Sequence, residues 1–146
     1  MYKYDIRLKN EDKMTFKFVN PIHDFNLKYL QKSVLASLVG ATALTIEDWH
    51  EMQNNVFTDF YCGTGESFET VCKNLLDSLP ENQEKTASSK GILVFCGFNE
   101  LTMYELHVFL KELTEKTAIG ELLFVQSDKY FEDERFISFL GMEKGR

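Results

Sequence analysis

The chain has 146 residues, enough for one domain with a core of its own, and 44% hydrophobic with 14% aromatic content is ordinary for a folded globular protein. A formal charge of −7, with no basic stripe interleaved with aromatics, argues against nucleic acid or an anionic membrane surface as a partner. Cys62, Cys72 and Cys96 form no CxxC pair and each falls inside an apolar pattern, as reduced core thiols do.

The start, MYKYDIRLKNEDK, is charged throughout and lacks the apolar core of a secretory leader. No apolar run is long enough to span a membrane, so a cytoplasmic location is expected. Residues 2–8 alternate, with Tyr2, Tyr4, Ile6 and Leu8 on one face and Lys3, Asp5 and Arg7 on the other. That period of two predicts a half-buried strand. After the polar turn at Asn10, Glu11 and Asp12, Met14, Phe16 and Phe18 alternate again, so residues 1–20 are expected to hold a β-hairpin, ended by Asn20-Pro21.

Residues 25–39 carry Leu27, Leu30, Val34 and Leu38 at helical spacing, with Ser33, Ala36 and Ser37 away from the centre of that stripe. Gly40 suits a helix stop. Thr45 and Asp48 have the spacing of a capping box, the hydroxyl at the N-cap and the carboxylate reaching back, so a short helix should start there. Ile46, Trp49 and Gln53 would line its inner side. Residues 56–62 read as a strand ended by Gly63, followed by a helix with Phe68, Val71, Cys72, Leu75, Leu76 and Leu79 on one face, closed by Pro80.

The stretch 80–90 is polar and aperiodic and reads as a loop. The apolar run 92–96 between Gly91 and Gly97 suits a strand buried on both faces. Thr102 and Glu105 make a second capping box, with Met103, Leu106, Phe109, Leu110 and Leu113 as the helix stripe behind it. Gly120 precedes another buried strand, 122–125. The acidic run Glu132, Asp133 and Glu134 marks a tight connection to a last strand, 135–140. The expected fold is α+β: a two-layer sandwich with a mostly four-stranded mixed sheet and helices, preceded by the hairpin and a central helix, all in a single domain over 1–146.

Four segments, in order, resemble the C-terminal domain of FtsZ, the tubulin relative that assembles the bacterial division ring. Gly63-Thr64-Gly65-Glu66-Ser67 is similar to that family's S/T-G-E segment, with Glu66 opening the next helix. Lys90-Gly91-Ile92-Leu93-Val94 resembles its KGVLV strand, and Asn99-Glu100-Leu101-Thr102-Met103-Tyr104-Glu105-Leu106 its DLTLFEV-like helix start. Leu122-Leu123-Phe124-Val125 followed by Asp133-Glu134-Arg135-Phe136 is similar to its closing strand pair. The resemblance covers residues 25–142. No single motif carries it; the order does.

The resemblance also implies what is missing. The first 45 residues contain no glycine except Gly40, so they hold no phosphate-cradling loop. In the family, the loop after the central helix carries an Asn and two acids that reach into the next subunit's nucleotide site and promote GTP hydrolysis. Here that position is Ala43-Leu44-Thr45-Ile46-Glu47-Asp48: Ala43 replaces the Asn, Thr45 the first acid, and Asp48 alone matches. A methyl group cannot position a water and a hydroxyl cannot supply a carboxylate charge, so the activating loop is expected to be inactive. The simplest role left for Asp48 is to complete the capping box with Thr45.

The resulting expectation is a non-enzymatic interaction protein without cofactor or metal, its partner a protein, with FtsZ or another division component as the candidate. The partner-binding residues would be Thr45, Glu47, Asp48, Trp49 and Glu51. Of these, Trp49 reads more readily as core than as an interface anchor. Two alternatives stand beside it. One is a self-assembling homodimer through strand 2–8 or helix 25–39; the other is a small-ligand enzyme with an interface site. His23, His50 and His107 lie on different elements with no ligand spacing, no sequence feature links Cys62 to a base, and the 132–134 acids suit a solvated turn.

Overall fold

A computed structural model describes residues 1–8, 13–39, 44–79, 88–98, 101–117, 119–127 and 135–143, and the side chains of all of these except Ser88 and Ser89. The expected turn at 10–12, the stop at Gly40, the Asn-equivalent Ala43, the stop at Pro80 and the acidic run at 132–134 lie outside the described residues.

The alternating start forms β1 (Tyr2–Arg7) and β2 (Lys13–Phe18), paired antiparallel from Tyr2 opposite Phe18 to Arg7 opposite Lys13. Ile6, Met14, Phe16 and Phe18 point inward and are buried. β2 runs parallel to β3 (Phe57–Gly65), with one paired position, Phe18 opposite Phe57. The contact continues through Val19 N–H to Phe57 O (2.8 Å) and Asn20 N–H to Thr58 O (3.1 Å). Pro21 then turns the chain away, since it has no N–H to donate.

The sheet therefore has six strands rather than four, in the order β1-β2-β3-β6-β4-β5. The four anticipated strands are its larger part: β3, β4 (Ser88–Cys96), β5 (Glu121–Ser127) and β6 (Arg135–Glu143). β6 is antiparallel to both β3 and β4, and β5 is parallel to β4. The hairpin adds the other two because Phe16 and Phe18 pack against Phe57 at 5.3 and 5.5 Å between ring centroids. β4 starts at Ser88, so the last part of the expected 80–90 loop is strand.

Helices cover both faces of this sheet. On one lie α1 (Asp24–Ser37) and α2 (Ile46–Met52), whose Tyr29, Leu30, Val34 and Trp49 share a core with Phe60, Ile92, Val94 and Phe136. On the other lie α3 (Phe68–Ser78) and α4 (Met103–Thr117), where Val71, Leu75, Phe109 and Leu113 meet Leu93, Phe95, Ile137 and Phe139. The two-layer reading describes the four-stranded part with α3 and α4; α1 and α2 form a third layer.

Three elements sit differently from the sequence expectation. The buried stripe of α1 includes Ser33, Ala36 and Ser37, whereas Leu27, Leu35 and Leu38 are only partly buried. Small side chains let the helix approach the sheet, and their hydroxyls stay satisfied: Ser33 Oγ donates to Tyr29 O (2.6 Å) and contacts Ser138 Oγ (2.7 Å). β5 is an edge strand, buried at Val125 but with Leu123 47% and Phe124 41% exposed. Met103 of α4 is exposed, so its stripe starts one turn later than the periodicity implied.

The Gly63–Ser67 segment also differs from its reading. Gly63 does not end β3, which continues to Gly65. Gly63 is required because α3 lies directly on it: a Cβ there would be 2.4 Å from Leu75 N and 2.5 Å from Val71 O. The helix cap is Ser67, whose hydroxyl accepts from Thr70 N–H (3.2 Å); Glu66 precedes it, and its carbonyl accepts from Arg135 (3.0 Å).

Candidate functional site

The nominated residues gather at the start of α2. Thr45 and Asp48 form the reciprocal capping box: Asp48 N–H donates to Thr45 Oγ1 at 3.0 Å and Thr45 N–H donates to an Asp48 carboxylate oxygen at 2.9 Å. This pair satisfies two otherwise open donors of a seven-residue helix. Thr45, Glu47 and Glu51 are exposed and Asp48 is half-buried.

Trp49 is not on this surface. Its side chain is 1% exposed, its Nε1–H donates to Ser37 Oγ at 2.7 Å, and its ring lies edge-on to Phe16 at 6.0 Å. The indole is turned inward against α1 and β2 and is the fully buried side chain of α2, with Ile46 and Met52 partly buried beside it. It fixes the helix; Thr45, Asp48, Glu47 and Glu51 remain as the surface that α2 presents.

A second feature was missed by sequence reasoning. A cleft of about 690 Å³ lies beside β3, lined by residues from three separate elements. His23, Phe25 and Asn26 come from the start of α1, Tyr61, Cys62 and Thr64 from β3, and Asn74 and Ser78 from α3. The one sequence signal that could have found it is Pro21, which prevents β2 from accompanying β3 any further. Asn74 Nδ2 donates to Thr64 O at 2.6 Å across one end.

Just before this cleft, Asp59 is buried, and loss of hydration raises its carboxyl above the ordinary value; the Thr58 hydroxyl, donating at 2.9 Å, opposes the shift. Burial also raises the Tyr61 phenol, and the neighbouring Asp59 charge adds to it.

The opposite face carries a groove of about 490 Å³ between α3 and α4, which includes Phe68, Cys72, Leu76, Tyr104 and Val108. Burial first, then the carboxylates of Glu112 and Glu105, push the Cys72 thiol up to about 12, far from a reactive thiolate. The three histidines sit apart on α1's start, α2 and α4, all exposed. Among the described residues, no three His, Cys, Asp or Glu side chains come together as a metal site.

No protein-family model matches the sequence, and no curated protein matches it. Solved structures do. An FtsZ mutant from M. jannaschii superposes over 80% of this chain with a TM-score of 0.55 and 13% identity. CetZ from Methanosaeta thermophila superposes over 83%, with a TM-score of 0.51 and 21% identity. The fold is that of the FtsZ C-terminal domain. The chain spans 37% of the FtsZ chain and 36% of the CetZ chain. The β1–β2 hairpin extends the sheet beyond β3, and its buried side chains share the core that α1 covers. No described helix is long and apolar enough to cross a membrane.

Proposed function

We propose that the protein is a non-enzymatic interaction module that uses the α2 surface to dock on an FtsZ-type subunit and alter filament assembly. The observation that carries this reading is the Thr45–Asp48 capping box. It fixes the start of α2, the segment whose sequence resembles the family's activating loop, where the acids are reduced to one and that one is engaged in holding the helix. The surface retains a shape for docking and has lost the groups that would hydrolyse GTP on a neighbour. Thr45, Glu47 and Glu51 make the contact, with Asp48 and the buried Trp49 positioning them.

The test is to add the purified protein to FtsZ at equimolar and excess ratios and follow light scattering, pelleting and GTP turnover. Assembly or turnover should change in proportion to the protein added. Unchanged assembly and turnover at excess would overturn the reading, and a sedimentation profile that shows only a homodimer would favour self-assembly instead.

A further inference from the structure

We propose that the groove between α3 and α4 is a docking site for a short amphipathic helix of a partner protein, one whose apolar stripe is bordered on both sides by Lys or Arg. The groove lies on the opposite face of the sheet from α2 and stands independently of that surface.

The groove follows from what the two helices place side by side. β3, β4 and β5 all run in one direction, so α3 and α4 return across the sheet parallel to each other. Phe68 and Phe109 meet near one end, with ring centroids 6.2 Å apart, and Lys116 Nζ donates to Leu76 O at 2.9 Å at the other. Between those two contacts α3 offers only the small side chain of Cys72 to the seam. Tyr104, 78% exposed, and Val108 carry the apolar lining out to the surface. Every lining residue belongs to α3 or α4.

The rim decides the charge of the occupant. Glu69 and Asp77 on α3 and Glu105 and Glu112 on α4 stand against two cations, Lys73 and Lys116. Lys116 is held on a last-turn carbonyl of α3, where a cation offsets the negative helix end. Glu105 is half-buried and closes its own helix start by accepting from the Thr102 hydroxyl at 2.9 Å. Glu69, Asp77 and Glu112 are exposed and form no ion pair among the described residues. The acidic field reaches the floor: after burial, Glu112 and then Glu105 raise the Cys72 thiol.

A helix suits this groove and a strand does not. The walls are helices whose own backbone groups are bonded internally, so an extended segment would bury its N–H and C=O groups without partners. A helix satisfies its own backbone and presents side chains at i, i+3, i+4 and i+7 to an apolar groove. From Tyr104 to Lys116, at roughly 1.5 Å per residue, the α4 wall is about 18 Å long, room for about three turns. Lys or Arg beside the apolar stripe would meet the free carboxylates. A second copy docking through this same face would set acid against acid, and an anionic lipid surface would be repelled for the same reason.

The probe is the peptide acetyl-Ala-Lys-Leu-Lys-Ala-Leu-Leu-Ala-Lys-Leu-Lys-Ala-amide, titrated into the full chain labelled with nitrogen-15, beside one counterpart with Glu at each Lys and another with Ser at each Leu. The first peptide should shift the amide signals of Cys72, Val108 and Glu112 saturably, and less so as salt is added. Neither counterpart should do so. The double variant Glu69→Lys with Glu112→Lys changes exposed positions and should fold like the parent. It should bind the Lys peptide at least tenfold more weakly and should now accept the Glu peptide. Tyr104→Ser, at another exposed position, should also weaken the Lys peptide. Four results would overturn the proposal: no saturable shift at millimolar peptide, equal shifts from the Lys and Ser-substituted peptides, shifts confined to residues outside α3 and α4, or groove signals that move with protein concentration alone and so mark a second copy as the occupant.

Discussion

The Trp49 indole donates to Ser37 Oγ at 2.7 Å, and Ser37 Oγ in turn donates to Val34 O at 2.6 Å. This chain of two bonds ties α2 to the last turn of α1 inside the core. Trp49→Ala removes a ring that is 1% exposed and should cost about 3–5 kcal/mol. Ser37→Ala removes no comparable volume but leaves the indole N–H without an acceptor, for about 1–3 kcal/mol. Urea unfolding of both variants and the double variant checks this. If the two losses simply add, the residues are not coupled.

The α2 surface separates stability from docking. Thr45→Ala breaks the capping box and should lower stability by about 0.5–2 kcal/mol. Glu47→Lys and Glu51→Lys change exposed charges and should stay within about 0.5 kcal/mol of the parent. The same two charge reversals should abolish the effect on FtsZ assembly. Reversals that leave that effect intact would remove the α2 surface from the proposal.

How far these features were legible in the sequence depends on what each residue was doing. The hairpin, both helices of the α3–α4 layer and the Thr45–Asp48 box could be read because period and cap chemistry are local. The inner face of α1 could not. Ser33 and Ser37 count as polar on any scale, yet they are buried because helix and neighbouring backbone satisfy their hydroxyls. β5 misled in the other direction: Leu123 and Phe124 look like core, but an edge strand leaves them half uncovered. Of the nominated surface, Trp49 read more readily as core than as contact, and the tertiary partners Ser37 and Phe16 place it in the core. The β3 cleft had no sequence pattern because its lining comes from positions 23 to 78 in three elements.

Gly63 should be intolerant of any side chain. A Cβ would lie 2.4 Å from the backbone nitrogen of Leu75, and neither β3 nor α3 can yield without disturbing the sheet or the core beneath it. Gly63→Ala should cost at least about 1–3 kcal/mol, the usual scale of overpacking. Gly120→Ala is the contrast, since a Cβ there meets nothing within 4 Å. Thermal unfolding of the two variants should show a large loss for the first and almost none for the second. Equal effects would mean that α3 does not sit on β3 as closely as described.

Asp59 should make the protein less stable as pH rises. Its folded carboxyl titrates above the ordinary 3.8, chiefly because burial removes water from the charged form. Between that ordinary value and the raised folded one, the native state binds more protons than the unfolded chain, so stability falls with increasing pH. Below both values the penalty vanishes; above both it is fully present. Asn at this position keeps an oxygen to accept from Thr58 and carries no charge. Asp59→Asn should therefore match the parent only well below pH 3.8, gain on it as pH rises through the interval, and keep that gain above the folded value, as read by urea unfolding at successive pH steps. A gap that stays constant across that range would show that Asp59 retains its hydration in the folded protein and that the irregular start of β3 at Thr58 is open to water.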